Sequence, residues 1–354
     1  MNDLHFAVIV GINPYPAIGP LTAAHADAQD FYDWVTSPQG GKVPGANAIR
    51  ILGEAPSGGE ASPTREFIYD RIEEFRQRAK HALDDDPDAW PATRFYFFGA
   101  GHGIASERKD AALLAANVTP SRYTRHVSCK SVLDFFERVQ CFRELVLFAD
   151  CCRTSFEGTV NRIPADMSGD DADWGGVRQF MACGSIFGRQ AKEEIDYPAD
   201  QRRGYFSRAL LDGLRIGHIG HPEEPITSDW LKGSITEHMR RASEAKFKSG
   251  PLAPDFQDYG QPPVVFGIPS SPPQVHPVRI QVDDQLVTSL EITAEGMAPV
   301  VTTQVGADRR DFTCYLPIGL YEAVPSGVPR PAPGQEWLFK VIEGGVRLAF
   351  KRRS

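Results

Sequence analysis

Apolar residues fall along this chain in two rhythms, short continuous runs and stripes at helical spacing. The run Phe6 to Ile12 ends at Asn13-Pro14 and predicts a strand buried on both faces. Leu21, Ala24, Ala28, Phe31 and Val35 then recur at helical spacing, closed by Gly40-Gly41. Ile49 to Leu52 predicts a short strand. Ser62-Pro63 predicts a helix start, with Ser as cap and Pro at the first helical position, and Ile68, Ile72, Phe75 and Ala79 as its apolar stripe. The acidic run Asp84 to Asp88 is expected to be a solvated loop. Arg94 to Phe98 predicts a third strand, broken by Gly99-Ala100-Gly101-His102-Gly103. A helix over Ser131 to Val139, a strand over Glu144 to Ala149 and another over Val177 to Ala182 follow. Tyr205 to Arg215 and Thr227 to Lys246 read as helices, and Val264 to Phe266 as a last strand.

Strands alternating with helical stretches indicate βαβ units. The expected class is therefore α/β, a mostly parallel sheet flanked by helices, over residues 1–268. The texture changes at Pro262-Pro263, Pro269 and Pro272-Pro273, so residues 269–276 read as a linker. Beyond it, short runs at Val278 to Val282, Leu286 to Ile292, Val300 to Val305, Phe312 to Leu316 and Trp337 to Ile342 suggest strands. These predict a small all-β, sandwich-like domain over 277–354, with Cys314 and Trp337 in its core. No internal repeat is evident.

Composition narrows the function classes. The chain has 354 residues, 42% hydrophobic and 24% charged, with a net charge of −8. That balance, with no dominant basic run, argues against a nucleic-acid surface. No apolar stretch approaches the roughly 18 residues of a membrane helix. No basic segment precedes the short apolar run at Phe6, so the pattern predicts no secretory leader and a soluble, cytoplasmic chain. The six cysteines lack CxxC spacing, so no disulfide framework, zinc site or other cofactor is expected. Cys129, Cys141, Cys183 and Cys314 read as small buried hydrophobes.

Two strands end in reactive residues, one in FFGAGHG and the other in LFADCCRT. Ligands of an open α/β sheet bind beyond the carboxyl ends of its strands. If the two strands are parallel neighbours, His102 and Cys152 share that edge. A thiol is only a few per cent ionised at neutral pH, and a neighbouring imidazole can take its proton. The glycines flanking His102 let a substrate backbone approach closely. The amides of Gly103 and Cys152 are the candidate oxyanion donors. A nucleotide-binding reading fails, because no GxxxxGK[ST] is present and GAGHG does not complete GxGxxG.

His102 and Cys152 lie 50 positions apart, and Arg153 follows the cysteine, the spacing of the caspase signature. At these residues the chain resembles caspase-like cysteine peptidases, the clan of caspases, metacaspases and paracaspases. The resemblance runs from Phe6 to Phe266 through AVIVGINPYP, LTAAHADAQDF, RFYFFGAGHG, LVLFADCCRT, RQAKE and GYFSRALLDGL. It is closest to metacaspase- and paracaspase-like bacterial members. It implies a caspase-hemoglobinase fold, a Cys/His dyad, protein or peptide substrates, and neither metal nor cofactor in the chemistry. It also implies Cys152, before Arg153, as nucleophile. Strand alternation agrees, because Asp150 and Cys152 then share a face and Cys151 points away.

The resemblance further implies that Asp150 lines the pocket for the residue before the cut and selects Arg or Lys. A buried carboxylate needs a cationic partner, which Arg supplies in bidentate form. Gln190 stands where paracaspase-like relatives carry a second acid, so a less acidic pocket is expected, with Arg favoured over Lys. Asp27 matches an acid of the family's first helix. Activation by self-cleavage is expected after Arg162, or in the basic loop at Arg189, Arg202 or Arg203. The β-domain is a candidate dock for a regulatory protein. The competing reading is a pseudo-protease scaffold that binds partners through the same groove.

Overall fold

The computed structural model describes residues 1–56, 59–155, 176–218, 224–244, 246–247, 250–269, 275–282, 287–294, 299–305, 310–317, 319–326, 338–341 and 346–350. The chain opens with β1 (His5–Gly11), α1 (Ala24–Thr36), β2 (Ala48–Leu52), α2 (Arg65–Asp85) and β3 (Arg94–Ala100). Three short strands follow, β4 (Gly103–Ala105), β5 (Ala112–Leu114) and β6 (His126–Ser128), then α3 (Cys129–Val139) and β7 (Glu144–Asp150). Next come β8 (Thr154–Ser155), β9 (Arg178–Cys183), α4 (Tyr205–Ile216) and β10 (Ile226–Thr227). The series closes with α5 (Ser228–Glu244), β11 (Asp255–Tyr259) and β12 (Val265–Gly267).

Six strands form the central sheet in the order β11-β9-β7-β3-β1-β2. Five are parallel, and β11 closes one edge antiparallel to β9. Successive side chains of a strand face opposite ways, so each inner strand feeds two cores. Phe6, Val8 and Val10 of β1, with Phe95 and Phe97 of β3, pack on one face among residues of α2 and α3. Ala7 and Ile9, with Tyr96 and Phe98, pack on the other among residues of α1, α4 and α5. This two-sided burial explains why the inner strands read as unbroken apolar runs.

Several expectations are corrected. Helix α2 starts two residues later than Ser62-Pro63 suggests. Thr64 is its cap, accepting from the Phe67 amide at 3.2 Å, while Ser62 bridges to Glu54. The acidic run is not a loop. The core-facing stripe of α2 continues to Leu83, which draws Asp84 and Asp85 into the last turn, and Pro87–Ala92 form a 3-10 turn. Its acidic side chains do stay in water. The segment at Val265 does not extend the main sheet; β12 pairs with β10, and β11 takes the edge.

The C-terminal region holds β13 (Val275–Val282), β14 (Ser289–Ala294), β15 (Pro299–Gln304) and β16 (Asp311–Pro317). It continues with β17 (Gly319–Ser326), β18 (Leu338–Val341) and β19 (Val346–Phe350). They form sheets ordered β16-β13-β19 and β15-β14-β17-β18. Val278, Ile280, Leu290 and Ile292 join in a core separate from the other two. Trp337 lies outside the described residues.

Candidate active site

The juxtaposition of His102 and Cys152 begins with backbone register. Strand β3 pairs with β7 so that Arg94 faces Glu144 and, at the far end, Ala100 faces Asp150. Past the edge, β4 pairs in parallel with β8, matching Ile104 to Thr154 and Ala105 to Ser155. Both ladders carry one offset of 50. His102 and Cys152 stand at matching positions between them, so each chain is held abreast of the other from both sides. The spacing read in the sequence is this register.

Glycine is required where the two chains touch. A Cβ on Gly103 would lie 2.6 Å from both the Cys151 sulfur and the Cys152 carbonyl oxygen. Cys151 itself is buried in the core, where burial pushes its thiol far up. Cys152 is half-buried and opens on a cavity. Its Sγ lies 3.7 Å from the Ala191 carbonyl oxygen. Burial, reinforced by the charge of Asp150, raises this thiol above its ordinary value, while Lys192 pulls it down.

His102 is fixed by the loop after β1. Its Nε2 lies 3.0 Å from the Gly19 carbonyl oxygen, and its backbone amide donates to the Tyr15 hydroxyl at 3.0 Å. That hydroxyl donates in turn to the Leu114 carbonyl at 3.0 Å. The Tyr15 ring meets the imidazole edge-on at 4.7 Å between centroids. A carbonyl can only accept, so the neutral ring carries its proton on Nε2 and leaves Nδ1 bare. Tyr15 and Gly19 escaped the sequence reading. Tyr15 stands in the AVIVGINPYP segment that carries the resemblance and Gly19 just beyond it, but neither spacing nor polarity assigned either one a contact with His102.

Asp150 is 7% exposed at the carboxyl end of β7. It accepts from the Ser207 amide at 3.0 Å and the Ser207 hydroxyl at 2.7 Å. Gly204 packs so tightly on it that any Cβ there would overlap the carboxylate. Burial raises its pKa to about 6; the Ser207 hydrogen bonds oppose this, and the charges of Glu193 and Glu194 add to it. Asp27 of α1 is buried beside it and accepts from the Gly204 amide at 3.1 Å. Burial, then the charge of Asp150, pushes Asp27 well above the carboxylate range.

A third acid, Glu193, closes the group. The N-cap position of α1 is Ala23, which has no side-chain acceptor. Asn13 Oδ1 accepts from the His25 amide of the first turn at 3.3 Å, and Glu193 ties down the residues just before the helix, accepting from Thr22 N, the Thr22 hydroxyl and Ala23 N at 3.0, 2.9 and 2.7 Å. His102, Cys152, Asp27, Asp150 and Glu193 thus line one cavity of about 590 Å³. Lys192 and Lys246 line it too, engaged with Gln190 at 2.6 Å and Asp196 at 3.3 Å. The sequence reading did not single out Glu193 as a pocket residue. Gln190 does stand in the loop, but Glu193, three residues on, turns its carboxylate to the cavity and to α1. Glu193 closes the RQAKE segment, but the contact that aims it, 170 residues away at Ala23, leaves no local signal.

Arg153 is fully buried. Its guanidinium donates to the Asp110 and Ser185 carbonyls at 2.8 and 3.2 Å, and to that of Arg108. It also pairs with Asp255 at 2.5 Å. Of the expected cleavage positions, Arg162 lies outside the described residues. Arg203 pairs with Asp30 at 2.7 Å, and the Arg189 carbonyl accepts from the Arg153 amide at 3.0 Å. Among the described residues, no helix is long and apolar enough to cross a membrane. Among them too, no group of three His, Cys, Asp or Glu side chains is placed to hold a metal ion.

A family model described as "Caspase domain" matches residues 4–247. A probable protease from a Desulfuromonadales bacterium is 26% identical over 280 residues, covering 73% of this chain. The chain spans about a third, 32%, of that relative's length. Among solved structures, pro-sf-caspase-1 aligns over 75% of this chain and 94% of its own, with 14% identity and a TM-score of 0.43. A Geobacter sulfurreducens protein aligns over 73% and 94%, with 13% identity and a TM-score of 0.38. With its mostly parallel sheet and a family match over most of its length, the chain belongs to the caspase-domain family of cysteine peptidases.

Proposed function

We propose that this protein is a cysteine endopeptidase that cuts after a basic residue, Arg in preference to Lys, with Cys152 as nucleophile and His102 as acid and base. One observation carries the reading. The thiol and the imidazole line the same cavity as the acids Asp27, Asp150, Glu193 and Asp196, the last of them paired with Lys246. In a substrate complex, a P1 guanidinium enters among the carboxylates and relieves their mutual repulsion. The planar fork of Arg spans two carboxylates where the ammonium of Lys meets one, which is the basis of the preference.

The step begins with the Cys152 proton passing to Nδ1 of His102 as the sulfur attacks the scissile carbonyl carbon. The C–S bond forms, and the carbonyl electron pair moves to oxygen, where the Gly103 and Cys152 amides stabilise it. As the tetrahedral centre collapses, the C–N bond breaks and Nδ1–H protonates the leaving amine. Water, deprotonated by the same nitrogen, then attacks the thioester and releases the acid and the free thiol. The Gly19 carbonyl stabilises the imidazolium between these steps, through Nε2. A cationic P1 residue also screens Asp150, whose charge holds the thiol protonated.

The test is hydrolysis of fluorogenic peptides ending in Arg or Lys by the wild type, Cys152→Ala and His102→Ala. Wild type is expected to cleave both, Arg faster, and each variant to lose roughly a thousandfold or more in kcat/KM. Cleavage undiminished in Cys152→Ala rejects the mechanism. Binding of Arg peptides without any turnover by the wild type leaves a partner-binding scaffold instead.

A further inference from the structure

Two cavities meet at His102 and Cys152. The first holds the carboxylates. The second, about 360 Å³, shares His102, Cys152 and Gln190 with the first and continues past Gly103. Ile18, Ile104, Leu114 and Tyr123 form its apolar side, and His102, Gln190, Thr154 and Ser155 its polar, uncharged side. Among the described residues, no Asp, Glu, Lys or Arg lines it.

Acyl transfer needs an exit on each side of the scissile carbonyl. With the acyl carbon on the Cys152 sulfur and the P1 side chain among the carboxylates, the scissile nitrogen lies on the opposite side. That nitrogen takes its proton from His102, so the chain it carries departs along the His102 side. The second cavity begins there. We propose that this cavity is the leaving-group subsite, and that it selects an uncharged, apolar residue at P1′, directly after the cut. The inference rests on the peptidase reading above and adds a second determinant to it.

The walls are built rather than incidental. Ile18 belongs to the loop that fixes His102, and its amide donates to the Tyr15 carbonyl at 3.3 Å. Tyr123 is held by a turn in which the Arg122 amide donates to Thr119 O at 2.9 Å, and its own carbonyl lies 2.6 Å from Nδ1 of His126. Ile104 and Leu114 are buried in the small sheet, at 6% and 2% exposure, and do not yield. An apolar P1′ side chain leaves water against these surfaces and gains binding. A charged one loses hydration and finds no partner.

The experiment uses the full-length active enzyme and a peptide series with Arg fixed at P1 and Leu, Phe, Gly, Asp or Lys at P1′, read by mass spectrometry. Leu and Phe are expected to exceed Gly in kcat/KM by roughly tenfold, with Asp and Lys lowest. In Ile18→Lys, checked for an intact thermal transition, Asp at P1′ is expected to gain at least roughly tenfold relative to Leu. A flat P1′ profile, or a charged preference, with cleavage still after Arg overturns the subsite and leaves the peptidase reading standing. An unshifted profile in folded Ile18→Lys also overturns it. No cleavage of any peptide overturns both.

Discussion

Asp150 shows how a single residue is held in an unfavourable state. Its carboxyl is buried against Gly204, with Asp27 beside it, and its pKa rises to about 6 from an ordinary 3.8. The folded state therefore binds this proton more tightly than the unfolded chain does. Stability from the neutral form is fully present below about pH 3.8 and is lost as pH rises through about 6. At pH 7.5 the ionised Asp150 carboxylate weighs against folding. Asp150→Asn is thus expected to raise Tm by a few degrees at pH 7.5, by little or nothing at pH 4, and to abolish cleavage after Arg. Differential scanning calorimetry at both pH values, beside a peptide assay, checks this. A lower Tm at pH 7.5 would mean that the Ser207 hydrogen bonds outweigh the burial.

At the scale of elements, Arg153 fastens the segment carrying Cys152. It ties the end of β7 to the Arg108–Asp110 segment, to Ser185 and to β11. Arg153→Lys keeps the charge but loses the fork. Because Asp255 is 38% exposed, the loss should sit at the lower end for a buried pair, about 3 kcal/mol. Urea unfolding of the variant measures it, and a loss below about 1 kcal/mol would show that the clamp is dispensable. The inner strands were legible in the sequence because two-sided burial writes a continuous apolar run. Helix α3 was legible through Val132, Phe135 and Phe136, all buried. Strand β11, DFQDY, was not, since an edge strand with three polar residues lacks such a run. Nor were β4, β5, β6 and β8, which are two or three residues long and take their partners from distant segments. His102, Cys152 and Asp150 were legible because each follows or ends such a strand. Glu193 and Tyr15 were not, because each acts through a contact more than 80 residues away.

Across the whole molecule, a net charge of −8 surrounds a cavity lined by four acids and two lysines. On the proposed reading a cationic substrate is drawn in from a distance, and salt weakens that pull. Cleavage after Arg should lose several-fold in kcat/KM between about 0.05 and 0.5 M salt, mostly through KM. Agmatine, an arginine-like cation, should raise the Tm of Cys152→Ala above pH 6 and lose that effect below pH 5, as Asp150 takes up its proton. Equal stabilisation at both pH values would remove Asp150 from the recognition of the cation. The paired ladders that flank His102 and Cys152 have a last consequence, for inheritance. The excursion of chain between the two residues does not decide where they meet. A change in the length of that excursion that spares both ladders keeps the sulfur beside the ring, whereas slippage of one strand along its neighbour would part them.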